Sequence, residues 1–314
     1  MNAGYTSRRE AVPAGAVRGT LEGVIGPNYP GVGERSPAWC QNAPVKILPD
    51  HAAVASALPD DPYVRWGVPP TLPAPAIEHE GAVATLRVRH RLGQVRRSAF
   101  LLGDGAGMPA LVEHVLGTGV LRQWGASGIS VPAEHGHLLD AHGIEPGGRW
   151  DWMWVTTPVA SSPRTTSPER LGLDAVISLD DTRDAPEIAE LSQRWSPTAE
   201  GEPGSGYSTS WRGVRAGALE GRPDQGELVA VGASQPFTDE VPHLAGIVTR
   251  GDLRGQGLGR LVTESLTLSE VQRSGVCTLG MYSDNDAARR LYHSIGYATA
   301  YAWDSRRWED PTAG

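Results

Sequence analysis

Between Leu244 and Leu268 the chain passes from an apolar, β-branched run into a glycine-rich turn and straight on into a helical pattern, a succession few folds accommodate. Leu244-Ala245-Gly246-Ile247-Val248-Thr249 reads as a buried strand. Arg254-Gly255-Gln256-Gly257-Leu258-Gly259-Arg260 is the turn, and Leu261, Val262, Leu266 and Leu268 recur behind it at helical spacing. A strand feeding such a turn at the head of a helix builds an anion site. No Cβ keeps the backbone N–H groups from a pyrophosphate, and the first helical turn adds the positive end of its dipole. Taken alone, three glycines are equally compatible with a structural tight turn.

One strand later the pattern becomes specific. After Val276-Cys277-Thr278-Leu279-Gly280-Met281-Tyr282 comes Asp284-Asn285-Asp286-Ala287-Ala288-Arg289-Arg290-Leu291-Tyr292-His293-Ser294-Ile295-Gly296-Tyr297. Both stretches, in this order and at this separation, resemble the acetyl-CoA signature of the GNAT superfamily of N-acetyltransferases: R/Q-x-x-G-x-G/A, then N-x-x-A-x-x-L-Y-x-x-x-G-F/Y. The resemblance spans roughly Leu171 to Trp308 and is tightest from Ile247 to Tyr297.

The resemblance implies acetyl-CoA as cosubstrate and no metal. Its pyrophosphate would lie on Arg254, Gly255, Gln256, Gly257, Leu258, Gly259 and Arg260, and its extended arm on the strand edge at Ile247, Val248 and Thr249, an arrangement akin to strand addition. Asn285, with Ala288 behind it, would cap the second helix or bond the arm. Tyr292 stands seven residues after Asn285, two turns on and so on the same face. In the family the tyrosine at this place protonates the departing thiolate. A phenol near ~10 can donate as a thiolate of pKa near ~8.5 forms. Glu227, Asp239, Glu240 and His243 border the acceptor side, and Glu240 and His243 are the candidates for the base that relieves the amine of its proton. Trp195, Tyr207 and Trp211 fall where the family's acceptor elements lie.

Length and charge limit the alternatives. At 314 residues the chain suits two domains of about 150 each. A net charge of −8 and a pI near 5.6 speak against a nucleic-acid or anionic-membrane surface and accommodate a cationic partner more easily. Cys40 and Cys277 make neither a disulfide framework nor a metal site. No apolar run reaches the ~18 residues of a membrane span, and Arg8 and Arg9 precede no hydrophobic core, so a cytoplasmic location is expected.

Residues 1–50, rich in proline and glycine and without period, read as a poorly structured extension. Strand patterns at Ile77 to His79, Ala82 to Arg89 and Val95 to Leu102 precede a glycine run, Gly103-Asp104-Gly105-Ala106-Gly107, and a helix through Leu116. A strand at Gly128 to Val131, a helix at Glu134 to Ala141 and a strand at Arg149 to Val155 follow. Leu138, Gly143, Trp150 and Asp151 correspond to Leu291, Gly296, Trp303 and Asp304, each 153 positions later. The expected fold is therefore α/β, a mixed sheet in two tandem GNAT-like domains. Residues 51–158 form a degenerate copy with Leu139 at the tyrosine position and a shortened turn. Residues 159–170 form a linker, and residues 171–314 form the catalytic domain. Trp150, Trp152 and Trp154 share one strand face and are expected between the halves.

These features point to transfer of an acetyl group to a primary amine, with the acceptor a small molecule. Transfer to a protein amine, or acyl-CoA sensing without turnover, are the competing readings.

Overall fold

The structure, a computed structural model, describes residues 44–91, 93–103, 105–159, 171–238 and 240–309. Most of the expected extension, Cys40, nearly all of the linker and Asp239 lie outside the described residues. The end of the extension does not behave as one: Lys46–Leu48 form a strand whose Leu48 is fully buried.

The first half runs β1 (Lys46–Leu48), α1 (His51–Ala57), α2 (Pro62–Gly67), β2 (Ala76–His79), β3 (Ala82–Arg91), β4 (Gln94–Leu102), α3 (Met108–Gly117), α4 (Val120–Trp124), β5 (Gly128–Pro132), α5 (Gly136–Ala141) and β6 (Gly148–Val155). The second runs β7 (Ile177–Leu179), α6 (Ala185–Trp195), β8 (Ser210–Arg215), β9 (Leu228–Pro236), β10 (Pro242–Thr249), α7 (Leu258–Ser274), β11 (Cys277–Tyr282), α8 (Asp286–Ile295) and β12 (Ala298–Arg307). Helix starts follow ordinary capping chemistry. The Asp50 and Asp61 carboxylates accept from the first-turn N–H groups of α1 and α2, and Pro186 sits in the first turn of α6, where its missing N–H costs nothing.

All the strands among the described residues join one twelve-stranded mixed sheet in the order β1-β2-β3-β4-β5-β12-β6-β11-β10-β9-β8-β7. Each half contributes three antiparallel steps and then a parallel one, β4 with β5 and β10 with β11. The last strand of each half then crosses over: β12 pairs with β5, and β6 pairs with β11. Where β6 and β12 meet, Trp150 stands directly opposite Trp303 and Asp151 opposite Ala302. Trp150 and Trp303 are the residues that the sequence correspondence equates, and the strand order reads alike from both ends of the sheet, with β1 to β6 taking the places of β7 to β12.

Alternation along the strands sends side chains to two faces. Ala84, Leu86, Ala99 and Leu101 pack on α3 and α4, while Val83, Phe100 and Leu102 pack with Tyr63 and Val64 of α2. The second half is likewise sandwiched, with Val262 and Leu266 of α7 in one cluster and Ile188 and Leu191 of α6 in another. Trp152 and Trp303 are fully buried at the junction, their rings edge-on to Tyr63 at 4.9 and 5.2 Å, as expected for a tryptophan-rich strand between the halves.

Candidate active site

The site begins with a fault in β10. Its register against β9 slips by one residue between Ala245 and Val248, and Gly246 takes a left-handed φ of 62°. This is a bulge, and only glycine fills such a position without strain. Gly246 also lies under Gly201, where a Cβ would approach the Gly201 backbone to 3.1 Å, so the loop after α6 rests on the bulge. On its other edge β10 pairs with β11 only at His243 and Leu244. Beyond Leu244 the two parallel strands part, and the β11-facing edge at Ile247, Val248 and Thr249 is left without a strand partner.

A cavity of about 920 Å³ opens there, with His243, Ile247, Asn285, Ala288 and Tyr292 in its wall. His243 is 7 % exposed and stacks on Phe237 at 4.6 Å. Its Nδ1 lies 3.0 Å from the Thr278 hydroxyl, which donates its one proton to the Pro242 carbonyl at 2.8 Å. The hydroxyl must therefore accept from the ring, which fixes the proton on Nδ1 and leaves Nε2 with a free lone pair. Burial, followed by the charges of Arg89 and Arg87, lowers the His243 pKa well below its usual value, so the ring is neutral at pH 7.

Helix α8 brings the other candidates. Asn285 caps it, its side chain accepting from Ala288 N–H at 3.0 Å. Tyr292, 8 % exposed, packs in the cluster of α7 and β11 with its ring edge-on to Tyr297. Burial pushes its phenol up to about 12. The helix start is held from the other half: Asp151 of β6 accepts from Ser283 Oγ at 2.5 Å and from Arg289 Nε at 3.1 Å. That tie could be read in the sequence only as a repeat position, not as a support for α8.

The glycine turn lies beyond the other end of β10. Gly255 and Gly257 have φ of 79° and 89°, and a Cβ on either would meet nothing within 4 Å. Gly257 caps the seventeen-residue α7 with no side-chain bond, so the first-turn N–H groups of Leu258, Gly259 and Arg260 have no partner within the helix. Gln256 is exposed and Leu258 buried. Arg254 donates to the Trp195 carbonyl at 2.7 Å and the Thr249 carbonyl at 3.3 Å, and Arg260 ion-pairs with Glu264 at 2.7 Å and donates to Ser294 Oγ at 2.6 Å. Both guanidiniums thus fasten helices around the turn. Gly251 follows the strand because the Trp195 ring covers it, and a Cβ there would come within 2.2 Å of that ring.

Other candidates lie away from this cavity. Trp195, Tyr207 and Trp211 do not line the cavity. Trp211 is buried against α6 and donates to Asp181 at 2.7 Å, and Tyr207 donates to the Pro236 carbonyl at 3.1 Å. Glu240 is exposed in the β9–β10 turn and outside the cavity wall, and Glu227 ion-pairs with Arg250. The opposite wall comes from the first half, with Arg87 and Arg89 of β3, Phe100 of β4 and Trp150 of β6. Nothing local in the sequence marks those residues, because they belong to strands far from β10 in the chain and share only the cavity with it. Among the described residues no cluster of metal-ligating side chains occurs, and no helix is long and apolar enough to cross a membrane.

Residues 217–308 match the family model described as FR47-like protein. No curated protein matches the chain. Among solved structures it is similar to a GCN5-related N-acetyltransferase from Kribbella flavida, at 18% identity over 84% of this chain and 97% of that one with a TM-score of 0.44. Another GCN5-related N-acetyltransferase, from Sphaerobacter thermophilus, matches at 16% identity over 77% and 82%, TM-score 0.46. A GNAT-family acetyltransferase from Colwellia psychrerythraea matches at 13% over 85% and 100%, TM-score 0.44.

Proposed function

We propose that this chain, whose fold is that of the GNAT acetyltransferases, moves the acetyl group of acetyl-CoA to the primary amine of a small molecule by direct attack in a ternary complex. The observation that carries this reading is the parting of β10 from β11 beside a cavity that holds a neutral histidine and a protonated phenol. The free edge at Ile247 to Thr249 suits the amide-bearing arm of the cosubstrate, and the uncapped start of α7 suits its pyrophosphate.

In this mechanism Nε2 of His243 takes the proton that the amine nitrogen sheds as its bond to the acetyl carbon forms. A backbone N–H of the bulge near Val248 steadies the carbonyl oxygen, and the Tyr292 hydroxyl donates to the sulfur as the carbon–sulfur bond breaks. A phenol near 12 is matched to its task because burial acts on sulfur as well. The Cys277 thiol, in the same cluster as Tyr292, is also pushed up to about 12. Arg87 and Arg89, which lower the His243 pKa, act in the same direction on an amine held beside them and favour its reactive neutral form.

Two copies of one fold that exchange their last strands account for the sheet order, and we assign catalysis to the second copy. A library of primary amines screened for CoA release from acetyl-CoA tests the function. Turnover on at least one small amine is expected. Acetyl-CoA binding with no turnover on any amine would leave a sensor, and turnover confined to protein amines would move the acceptor class.

A further inference from the structure

The chain carries a net charge of −8, yet the cavity is lined by five arginines, Arg87, Arg89, Arg96, Arg306 and Arg307, against one carboxylate, Glu200. Three of the five have carboxylate partners among the described residues. Arg89 pairs with Glu200 at 3.0 Å, Arg306 with Asp304 at 2.9 Å and Arg307 with Glu309 at 3.2 Å. Arg96 is exposed. Arg87 is different. Among the described residues no carboxylate lies within ion-pair distance of it, and its guanidinium sits over the Phe237 ring at 3.9 Å and near Phe100 at 5.6 Å. Burial lowers its pKa, and its neighbour Tyr63 is a phenol raised by burial and so uncharged.

Arg87 is half-buried, and the Glu200 charge that acts on it belongs to a carboxylate already paired with Arg89. A half-buried guanidinium with no carboxylate in its fork among the described residues is suited to take an anion there. The position says which anion. Phe237 touches the guanidinium of Arg87 and also stacks at 4.6 Å on His243, so cation and base are no farther apart than the sum of those two distances. Arg87 and His243 also line the same cavity, which gives a molecule inside it access to both.

We infer that Arg87 anchors the acceptor, and that the acceptor is a short primary amine carrying a carboxylate or phosphate a few bonds from its nitrogen. This rests on the acetyl-transfer reading for its chemistry, but not for its binding. Arg87 holds the anionic end, the amine is left facing Nε2 of His243, and the pair Arg89–Glu200 closes the wall beside it. Arg87 acts as a specificity residue supplied by the half of the chain that lacks the open glycine turn.

The test compares matched acceptors, β-alanine against its amide and 2-aminoethyl phosphate against ethanolamine, in CoA release and in thermal protection of the full chain. In wild type the anionic member of at least one pair should be favoured by about tenfold or more in kcat/KM, the lower end for a charge-assisted pair. Arg87→Met should bring that ratio to within about twofold of unity, because an effect of the lost charge on His243 and on the amine is shared by both members of a pair and cancels in the ratio. Arg87→Lys, which keeps a charge but not the fork, should retain part of the preference and serves if the methionine variant does not fold. The pair showing the preference tells carboxylate from phosphate. A neutral amine preferred by wild type, or an anion preference unchanged in both variants, would overturn the inference while acetyl transfer stood. Arg87-dependent protection by an anionic amine with no turnover on any acceptor would sink acetyl transfer and leave the anchor in place.

Discussion

Two glycine turns occupy equivalent places, Gly103 to Gly107 between β4 and α3 and Gly255 to Gly257 between β10 and α7, and they differ in what surrounds them. A Cβ on Gly103, Gly105 or Gly107 would come within 2.4, 2.5 or 1.9 Å of a backbone oxygen of Gly81, Glu80 or His79, because the β2–β3 hairpin is pressed into the turn. Around Gly255 and Gly257 the same test finds open space. In one half glycine serves close packing, and in the other it leaves open space. The contrast extends along the strands. The β3–β4 register runs without a slip, whereas β10 is bulged, and the first parallel pair is Ser98 with Gly128 in one half and His243 with Thr278 in the other. Leu139, fully buried, stands where the second half has Tyr292. A glycine count in the sequence does not separate a packed turn from an open one, and only the open one has an unencumbered helix start.

The largest expected effect follows from placing a charge in the open turn. Gly257→Asp should abolish acetyl-CoA binding by calorimetry, since a carboxylate then occupies the anion site. Stability should fall by only about 1–2 kcal/mol, the cost of a non-glycine residue at a left-handed φ. Retained affinity would place the cofactor elsewhere. Wild type should bind one acetyl-CoA per chain, and two equivalent sites would erase the distinction between the turns.

Next in size is Tyr292→Phe. Removing the hydroxyl while the ring stays packed should lower kcat by ~10²–10⁴-fold on any accepted amine and leave acetyl-CoA affinity nearly unchanged. A kcat within a few-fold of wild type would make Tyr292 a core residue like its counterpart Leu139.

The closed turn is probed by Gly107→Ala. Its new Cβ would meet the His79 carbonyl at 1.9 Å, so the β2–β3 hairpin must move, at a cost of about 3 kcal/mol in unfolding free energy. Acetyl-CoA affinity measured well below the new Tm should be unaffected. A variant as stable as wild type would mean that the hairpin is not wedged there.

What the sequence disclosed and what it withheld divide along local and non-local lines. The helices and most strands follow from periodicity and caps, and the turn, Asn285 and Tyr292 follow from short-range spacing. The three residues Lys46 to Leu48 were too few to show a period, and a strand there is visible only through its pairing with β2. The insertion of β12 between β5 and β6 has no local signature, although the 153-residue correspondence already contained the Trp150 and Trp303 that stand opposite each other. Crossing strands also explain why the cavity wall does not follow from the order of elements in the second half. Trp195 and Trp211 fill the core on the α6 side, and the wall facing His243 comes from β3 and β4. A fragment beginning at Leu171 would lack β6, and with it the partner of β11 and the Asp151 that holds α8.

The smallest effect is a pH dependence contributed by His243, whose place in the first half is taken by Ser98. Unfolded, the imidazole titrates near ~6.5; folded, burial and the charges of Arg89 and Arg87 hold its pKa well below that. Between those values the unfolded chain binds a proton that the native chain refuses, so stability rises with pH across the window. The contribution is fully present above about pH 6.5 and is lost as pH falls through the folded value. One group at full difference changes stability by about 1.4 kcal/mol per pH unit, so lowering the pH below about 6.5 should remove stability with a slope that approaches this limit. His243→Gln keeps a donor for the Thr278 hydroxyl and has nothing to titrate. Its unfolding free energy, measured in denaturant against wild type across pH 5 to 8, should lack that decline, and the difference between the two curves isolates the histidine from every other group. Parallel curves would mean that His243 is protonated in the folded protein as readily as in the unfolded chain. That outcome would also remove it as the neutral acceptor of the amine's proton.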